Sequence, residues 1–146
     1  MRIEESIVID RSPQEVFDYL KVRSNDGTWM ASVEESEWLE PGTKPGVGAR
    51  GRMVMKNLGR RVEYIDEVTK YEPGRVIAHR TVEGPIALET ACLTESEGDR
   101  CRATVVAEAD RFASGPLGAV INPFLARGLR RAFRADLARL KEILEG

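Results

Sequence analysis

The last fifth of the chain, residues 116–144, holds the feature that most limits what this sequence can fold into. Apolar residues recur there at steps of three or four: Leu125, Leu129, Phe133, Leu137, Leu140 and Leu144. At roughly 100° per residue, these positions form one stripe along an α-helix. From residue 123 to residue 144 such a helix would be roughly 33 Å long. A stripe of that length predicts that the preceding residues form an apolar surface of matching length.

The preceding residues predict that this surface is an antiparallel β-sheet. Strand-like segments occur at roughly ten-residue spacing, separated by turn residues. They cover residues 3–10, 33–39, 50–56, 61–70, 75–82, 86–94 and 102–111. Several alternate between apolar and polar residues, so we expect one covered face and one solvated face. The long helix is the only candidate for the cover.

Two short helices are predicted between the first two strands. Ser12-Pro13-Gln14-Glu15 combines a capping serine, a proline at the first helical position and the glutamate of a capping box. A second short turn is expected to carry Trp29 and Met30. The order of elements is therefore one strand, two short helices, about six more strands and one long helix, which is typical of a two-layer α+β domain.

The length of 146 residues indicates a single domain spanning residues 1–146. The long helix has two alternative starts. It begins near Pro116 and bends at Pro123, or a short turn precedes a main helix capped by Asn122. One bent helix is the favoured alternative.

Composition argues against several classes of function. A net charge of −2 gives no general drive toward nucleic acid. The acidic N-terminus lacks the apolar core of a signal peptide, and no apolar run reaches the roughly 20 residues of a transmembrane helix. Cys92 and Cys101 are not expected to lie opposite each other across a hairpin at Gly98, so we expect reduced thiols. These features predict a cytoplasmic protein.

Basic residues are predicted to lie on the side of the long helix opposite the stripe: Arg127, Arg130, Arg131, Arg134 and Lys141. The main interpretation is a solvated helix surface. An alternative is a docking face for an acidic partner or a membrane. A homodimer is a further open alternative.

Residues 46–51 match the G-x-G-x-x-G pattern of dinucleotide-binding sites. That mechanism needs a strand before the glycines and a helix N-terminus after them. Here a Pro/Gly loop precedes the pattern and a predicted strand follows it. We therefore expect no nucleotide cofactor and interpret the glycines as relieving a bend in the sheet.

His79 is the only histidine, and clustered Cys or His ligands are missing, so no metal site is predicted. Its imidazole titrates near neutral pH and is a candidate acid or base, although a packed strand histidine is the main interpretation. Tyr64 lies on the apolar face of its strand and could offer a hydroxyl inside a cavity. Asp66 follows on the same face and needs a cationic partner, for which Arg52 and Arg80 are the candidates.

The order of these features resembles the START/Bet v 1-like (SRPBCC) superfamily, in particular its polyketide cyclase/dehydrase-like branch. The resemblance covers nearly the whole chain. It rests on Val16-Phe17 in the first helix, the segment 67–77 before the fifth strand, Gly84-Pro85 between strands, and residues 137–144 at the end. It implies a helix-grip fold, in which a curved antiparallel sheet of about seven strands surrounds the C-terminal helix and leaves a cavity.

The resemblance also implies what such a cavity does. Relatives often bind apolar small molecules, and some cyclise or dehydrate polyketides; no universal catalytic motif and no cofactor are implied. Relatives commonly have an aromatic or aliphatic residue at the position of His79. We therefore expect a small hydrophobic, lipid- or polyketide-like ligand between the sheet and the helix.

Three functional hypotheses follow. The first is ligand binding, with these candidate lining residues: Trp29, Met53, Met55, Tyr64, His79, Phe124, Leu125, Leu129 and Phe133. Trp29 and Trp38 are also candidates for the cavity entrance, although packing is the main interpretation for both. The second hypothesis is a cofactor-free polyketide cyclase or dehydratase that uses His79 and Tyr64. The third is an interaction module that docks through the basic helix face.

Overall fold

The computed structural model describes residues 2–57, 59–109 and 115–146, with residues 57 and 115–122 described by their backbone alone. The helical elements are α1 (Pro13–Leu20), a 3₁₀ turn (Arg23–Asn25), α2 (Asp26–Trp29) and α3 (Gly115–Glu145). The strands are β1 (Arg2–Ile9), β2 (Val33–Trp38), β3 (Arg50–Asn57), β4 (Arg60–Glu72), β5 (Val76–Glu83), β6 (Glu89–Glu97) and β7 (Arg100–Glu108). The strands form one curved antiparallel sheet in the order β1-β7-β6-β5-β4-β3-β2. The predicted helix-grip architecture is confirmed.

The start of α1 follows the sequence signal. The Ser12 hydroxyl accepts a hydrogen bond from the Glu15 amide, and the Glu15 carboxylate accepts one from the Ser12 amide. Pro13 occupies the first helical position, where its missing amide proton costs nothing. The buried side of α1 carries Val16, Phe17 and Leu20, so the helix is fixed on the sheet close to the 3₁₀ turn that follows it.

The long helix α3 runs without a break from Gly115 through Pro123 to Glu145. The prediction of a single helix beginning near Pro116 is therefore confirmed, while its bend at Pro123 stays a prediction. The helix packs along β1 and against α2. Leu137 and Leu140, at 1% and 0% exposure, anchor its C-terminal half in the core.

The start of strand β6 differs from the sequence prediction by three residues. Strand β6 begins at Glu89 instead of Ile86, because its pairing with β5 ends at Arg80 opposite Glu89. Beyond that pair, the Thr81 amide still donates to the Leu88 carbonyl, and the chain then leaves the sheet as a loop. The predicted end of the last strand, Arg111, lies outside the described residues.

As the sequence predicted, the two cysteines do not lie opposite each other in the β6–β7 hairpin. Cys92 pairs with Val105 and Cys101 pairs with Ser96, on either side of the hairpin that turns at Gly98. Gly98 has a φ of 64°, which glycine adopts without steric cost. Both thiols are free.

Candidate functional site

The strand register shows which side chains share the concave face of the sheet. Trp38 lies opposite Gly51, and Gly51 lies opposite Asp66, so the three residues form one row across β2, β3 and β4. Met53 lies opposite Tyr64 in the neighbouring row. Directly opposed residues of antiparallel strands point to the same face. Asp66 is therefore a carboxylate on a surface that is otherwise mostly apolar.

The partner of Asp66 is Arg23, which enters from the 3₁₀ turn. Its Nη1 donates to Oδ1 at 2.8 Å and its Nη2 donates to Oδ2 at 2.7 Å. This is the bidentate geometry in which a guanidinium binds a carboxylate most strongly. Arg23 is only 6% exposed, so the pair is a buried one. The positive charge of Arg23 and the negative charge of Asp66 are therefore neutralised mainly by each other.

Gly51 and Trp38 both lie next to the Arg23 guanidinium. A Cβ atom added at Gly51 would stand 2.2 Å from Arg23 Cζ, so no larger residue fits while the guanidinium lies there. Arg23 Cζ also lies 5.0 Å from the ring centroid of Trp38, within range of a cation–π contact. The glycine interpreted from sequence as relieving a bend instead makes room for a cation.

The sequence-based candidates for the partner of Asp66 were wrong. Arg52 pairs with Glu35, Glu37 and Glu63 at 3.1–3.3 Å, on the opposite face of the sheet. Arg80 pairs with Glu67, also away from Asp66. Both arginines occupy strand positions one residue out of phase with Asp66 in the register, so their side chains point to the solvated face.

Asp26 is a second buried carboxyl near the ion pair. It accepts a hydrogen bond from the Ser36 hydroxyl at 2.6 Å and belongs to α2, directly after the 3₁₀ turn. Burial raises the pKa of Asp26 to about 6, and the nearby negative charge of Asp66 acts in the same direction. The Ser36 hydrogen bond and the Arg23 charge oppose that shift in the pKa. Asp26 thus has a pKa about two units above that of an ordinary aspartate.

The raised pKa of Asp26 predicts a loss of stability as the pH rises from about 4 to above 6. The folded state binds the proton more tightly than the unfolded state, so the contribution is full below pH 3.8 and lost above pH 6. At about 1.36 kcal/mol per pH unit, the loss is about 3 kcal/mol. We expect Asp26→Asn to remove this part of the pH dependence in urea unfolding at pH 4 to 8. Parallel stability profiles for the two proteins would contradict the prediction.

His79 and Tyr64 are both on the concave face, but with different surroundings. Val68 lies opposite His79, and burial lowers the pKa of His79, with Asp66 opposing and Arg23 adding to the shift. The imidazole is therefore neutral at neutral pH. The Tyr64 ring packs against Gly84, and burial raises its pKa, so the hydroxyl stays a donor. Burial also raises the pKa of Cys92 to about 12, which argues against a thiolate nucleophile.

The apolar stripe of α3 changes from buried to exposed along the helix. Leu137 and Leu140 are fully buried, whereas Phe133 and Leu129 are half-buried. Leu125 is 39% exposed. On the facing sheet, Met53, Met55 and Tyr64 are also half-buried. Apolar surface is therefore left uncovered toward the N-terminal half of α3, and Phe124, which is 72% exposed, lies there too.

The two tryptophans differ in their surroundings. Trp29 is 2% exposed and belongs to the core formed with Ile9, Val16 and Leu137, so it lies away from any entrance. This burial agrees with the packing interpretation. Trp38 is half-buried, contacts Arg23, and packs on a second cluster formed by Phe17, Val68 and Ile77.

Several basic residues of α3 do not form the free outer face that the sequence suggested. Arg130 and Arg134 pair with Glu5 of β1 at 3.5 Å and 3.2 Å. Lys141 donates to the Val8 carbonyl and pairs with Glu145. Glu5 lies on the concave face of β1, over which α3 passes. The ion pairs of Glu5 with α3 therefore depend on how the helix is placed on the sheet, which the helical spacing of the basic residues does not predict. Arg127 and Arg131 are exposed.

Two grooves open at the rim of the described structure. One has a volume of about 370 Å³ and lies between the 3₁₀ turn and β2, lined by Lys21, Val22, Arg23, Ser24, Ser36, Glu37, Trp38 and Pro45. The other, of about 480 Å³, lies where β5 and β6 separate, beside the ends of β1 and β7. The first opens directly beside the Arg23–Trp38 contact, and both volumes are within the range of small-molecule sites.

The part of the chain that the structure describes lacks the features of a metal site and of a dinucleotide-binding loop. Within that part, no group of three or more His, Cys, Asp or Glu side chains is placed to hold a metal ion. Residues 46–51 lead into β3, so the helix N-terminus that a dinucleotide-binding loop requires does not follow them. None of the helices described has the length and apolar character needed to cross a membrane.

Sequence reasoning missed Arg23 and Asp26. Both lie in a short polar segment, 23–28, whose composition indicates only a turn. One signal was available: Asp66 on an apolar face requires a cation, and Gly51 lies directly opposite it once the hairpin register is set. Nothing in the sequence identifies which distant arginine fills that space.

A curved sheet that holds a long helix above a partly uncovered, partly charged concave face defines a helix-grip protein. The chain belongs to the family described as polyketide cyclase / dehydrase and lipid transport, which matches residues 1–145. Among solved structures, TTHA0849 from Thermus thermophilus is similar, with 16% identity, a TM-score of 0.82, and 99% and 97% of the two chains covered. The Zhui aromatase/cyclase from Streptomyces sp. R1128 has 19% identity and a TM-score of 0.79, over 99% and 93%.

A START superfamily protein from Mycobacterium smegmatis is also similar, with 13% identity, a TM-score of 0.73, and 97% and 98% coverage. At these identities the similarities establish the fold, which is shared by START-like proteins and by polyketide cyclases. No curated protein matches the sequence significantly.

Proposed function

We propose that this chain acts as a single domain that binds a small, mainly hydrophobic molecule between the concave face of the sheet and α3. One observation carries the proposal: the apolar stripe of α3 is buried at Leu137 and Leu140, only half-buried at Phe133 and Leu129, and exposed at Leu125. A bound molecule would remove that surface from water, at about 25 cal/mol per Å² of apolar area.

The facing strands support the same location. Met53, Met55 and Tyr64 are half-buried on the concave face, and methionine side chains adapt to differently shaped ligands. The buried ion pair of Arg23 and Asp66 places a polar group at the floor of this surface. A site with apolar walls and few polar groups is typical of small-molecule binding.

A charge placed on the uncovered stripe tests the proposed location. We expect Leu129→Glu to weaken binding of the neutral fluorescent probe N-phenyl-1-naphthylamine by at least about tenfold, because an ionised carboxylate is costly to bury beside an apolar ligand. The control is Ala138→Glu, which adds the same charge at an exposed position of α3. Its affinity should stay within about twofold of wild type. Fluorescence titration provides both affinities.

Two outcomes count against the proposal. Wild-type protein that does not bind the probe, or that binds it as well after Leu129→Glu, removes the stripe from the site. Native mass spectrometry of protein purified from its own host then provides an independent check, since a bound hydrophobic molecule should co-purify with wild type and be reduced in Leu129→Glu.

A second candidate function is cofactor-free cyclisation or dehydration of a polyketide chain. It is favoured by the neutral imidazole of His79 and the protonated hydroxyl of Tyr64 on the same concave face, which suit proton removal and carbonyl polarisation. Turnover of a synthetic poly-β-ketone thioester should then fall in His79→Ala and Tyr64→Phe. Unchanged turnover in both variants rejects these two roles.

A further inference from the structure

The N-terminal half of α3 carries an exposed aromatic side chain on the side away from the proposed ligand site. Phe124 is 72% exposed. At roughly 100° per residue, it lies about 180° around the helix from Phe133, which belongs to the stripe that turns toward the core. A molecule held between the sheet and α3 would therefore leave Phe124 in contact with water. One exposed aromatic residue needs no explanation by itself, so the neighbouring side chains decide what this face can bind.

Two arginines share this outer face with Phe124. Arg127 and Arg131 follow it by three and seven residues, which places all three residues on one side of the helix. Both arginines are exposed, and within the described structure neither forms an ion pair. Arg130 and Arg134, by contrast, are paired with β1. The charges of Arg127 and Arg131 are therefore free to bind a partner from outside this chain.

The composition of α3 changes at the same place. Residues 115–126 include no charged residue, and arginines follow at 127, 130, 131 and 134. Residues 116–146 carry 6 basic and 3 acidic groups, a net charge of +3, although the whole chain has a net charge of −2. An uncharged helix end followed by a cationic band is typical of helices that bind at the surface of a membrane.

The surface between these side chains is open. Gly128 follows Phe124 by four residues on the outer face and is exposed. In the described structure, no atom beyond the adjoining residues and helix backbone lies within 4 Å of the position that a Cβ would take there. A flat partner can therefore approach Phe124 and the two arginines together.

We propose that Phe124, Arg127 and Arg131 form a docking surface for an anionic lipid bilayer. Phe124 enters the interfacial layer of the lipid, where an aromatic ring is favoured. The two guanidinium groups bind lipid phosphates, for which their planar arrangement of donors is suited. The inference goes beyond the proposed ligand binding, because it concerns the opposite side of α3.

Charge complementarity favours a bilayer over a second copy of this chain. Two copies that met through this face would bring the same arginines together, and contacts between like charges are unfavourable. A bilayer satisfies both parts of the face, since its interfacial layer takes the apolar side chain and its phosphates take the charges.

Cosedimentation with vesicles tests the docking surface. The probes are vesicles of phosphatidylcholine alone and vesicles of equal parts phosphatidylcholine and phosphatidylglycerol. We expect wild type to bind the anionic vesicles at least about tenfold more tightly than the neutral ones. Raising the salt concentration from about 0.1 M to about 1 M should remove most of this preference, because salt screens exposed charges.

Substitutions on the docking surface separate its apolar and its charged parts. Phe124→Ala should weaken binding to the anionic vesicles by about tenfold. Arg127→Gln together with Arg131→Gln should weaken it by about thirtyfold, since each cation near an anionic surface contributes about fivefold. Phe124→Trp should bind as wild type does, and its additional indole fluorescence should shift to shorter wavelength on the anionic vesicles.

Matched controls lie elsewhere on the surface. Val47→Ala shortens an apolar side chain that is 71% exposed in the loop before β3. Arg60→Gln together with Arg100→Gln removes two positive charges at exposed positions of the sheet. Both controls should bind the anionic vesicles within about threefold of wild type.

Each outcome decides for or against the docking surface. Failure of wild type to bind the anionic vesicles overturns the proposal, and so does equal weakening by the two arginine pairs. Unchanged binding in Phe124→Ala rules out insertion of the aromatic ring. A wild-type dimer that Phe124→Ala dissociates in analytical ultracentrifugation, without vesicle binding, assigns the face to a second copy instead.

The docking surface and the ligand site can fail separately. The double variant Arg127→Gln and Arg131→Gln should keep its affinity for N-phenyl-1-naphthylamine within about twofold of wild type, because neither arginine belongs to the ligand site. Loss of vesicle binding with intact probe binding supports two distinct surfaces. Parallel loss of both would mean that they are one surface, and the proposal would then be wrong.

Discussion

Asp66→Ala is expected to lower the free energy of unfolding by about 3–5 kcal/mol, because it leaves the Arg23 guanidinium buried and unpaired. The pair is bidentate at 2.7–2.8 Å, and the side chains of Arg23 and Asp66 are only 6% and 13% exposed. Urea unfolding monitored by circular dichroism measures the change.

A matched control lies on the same strand. Glu63 of β4 pairs with Arg52 at 3.1 Å, but its side chain is 55% exposed. Glu63→Ala should therefore cost less than about 1 kcal/mol. The double variant Arg23→Met with Asp66→Leu should be less destabilised than Asp66→Ala alone, because it leaves no unpaired charge. Equal losses for Asp66→Ala and Glu63→Ala would show that the ion pair is solvated in solution.

Leu140→Ala should cost about 2–5 kcal/mol, since Leu140 is 0% exposed and its removal leaves a cavity between α3 and the core. Leu125→Ala changes the same stripe about four turns away, where the side chain is 39% exposed, and should cost less than about 1 kcal/mol. Urea unfolding of both variants gives the comparison. Similar losses for the two would mean that the N-terminal half of α3 is as well packed as its C-terminal half.

These two leucines also show how far sequence reasoning reaches. The spacing of the stripe predicted the helix and its apolar face correctly, because helical periodicity is a local property of the chain. It did not predict that Leu140 is buried and Leu125 largely uncovered, because burial depends on how far the sheet extends beneath the helix. The strand positions were similarly predictable, while the late start of β6 depends on where its partner β5 stops pairing.

The candidate site was less predictable than the fold. Asp66 and Tyr64 were placed correctly on one face by alternation alone. Arg23 reaches Asp66 from a turn 43 residues away, so the contact exists only after the 3₁₀ turn packs over β3. The pairing of Arg130 and Arg134 with Glu5 is equally nonlocal, and it changes the interpretation of the basic helix face.

Because α3 is attached along β1, two different sets of side chains lie at the two margins of the sheet. Residues that keep the helix docked, such as Leu137, Leu140 and the partners of Glu5, lie near one margin of the sheet. Met53, Met55 and Tyr64 lie on strands toward the other margin. If the proposed site is correct, mutation can therefore alter the far margin, and with it the range of molecules that the site accepts, while the stability of the fold depends on a different set of side chains.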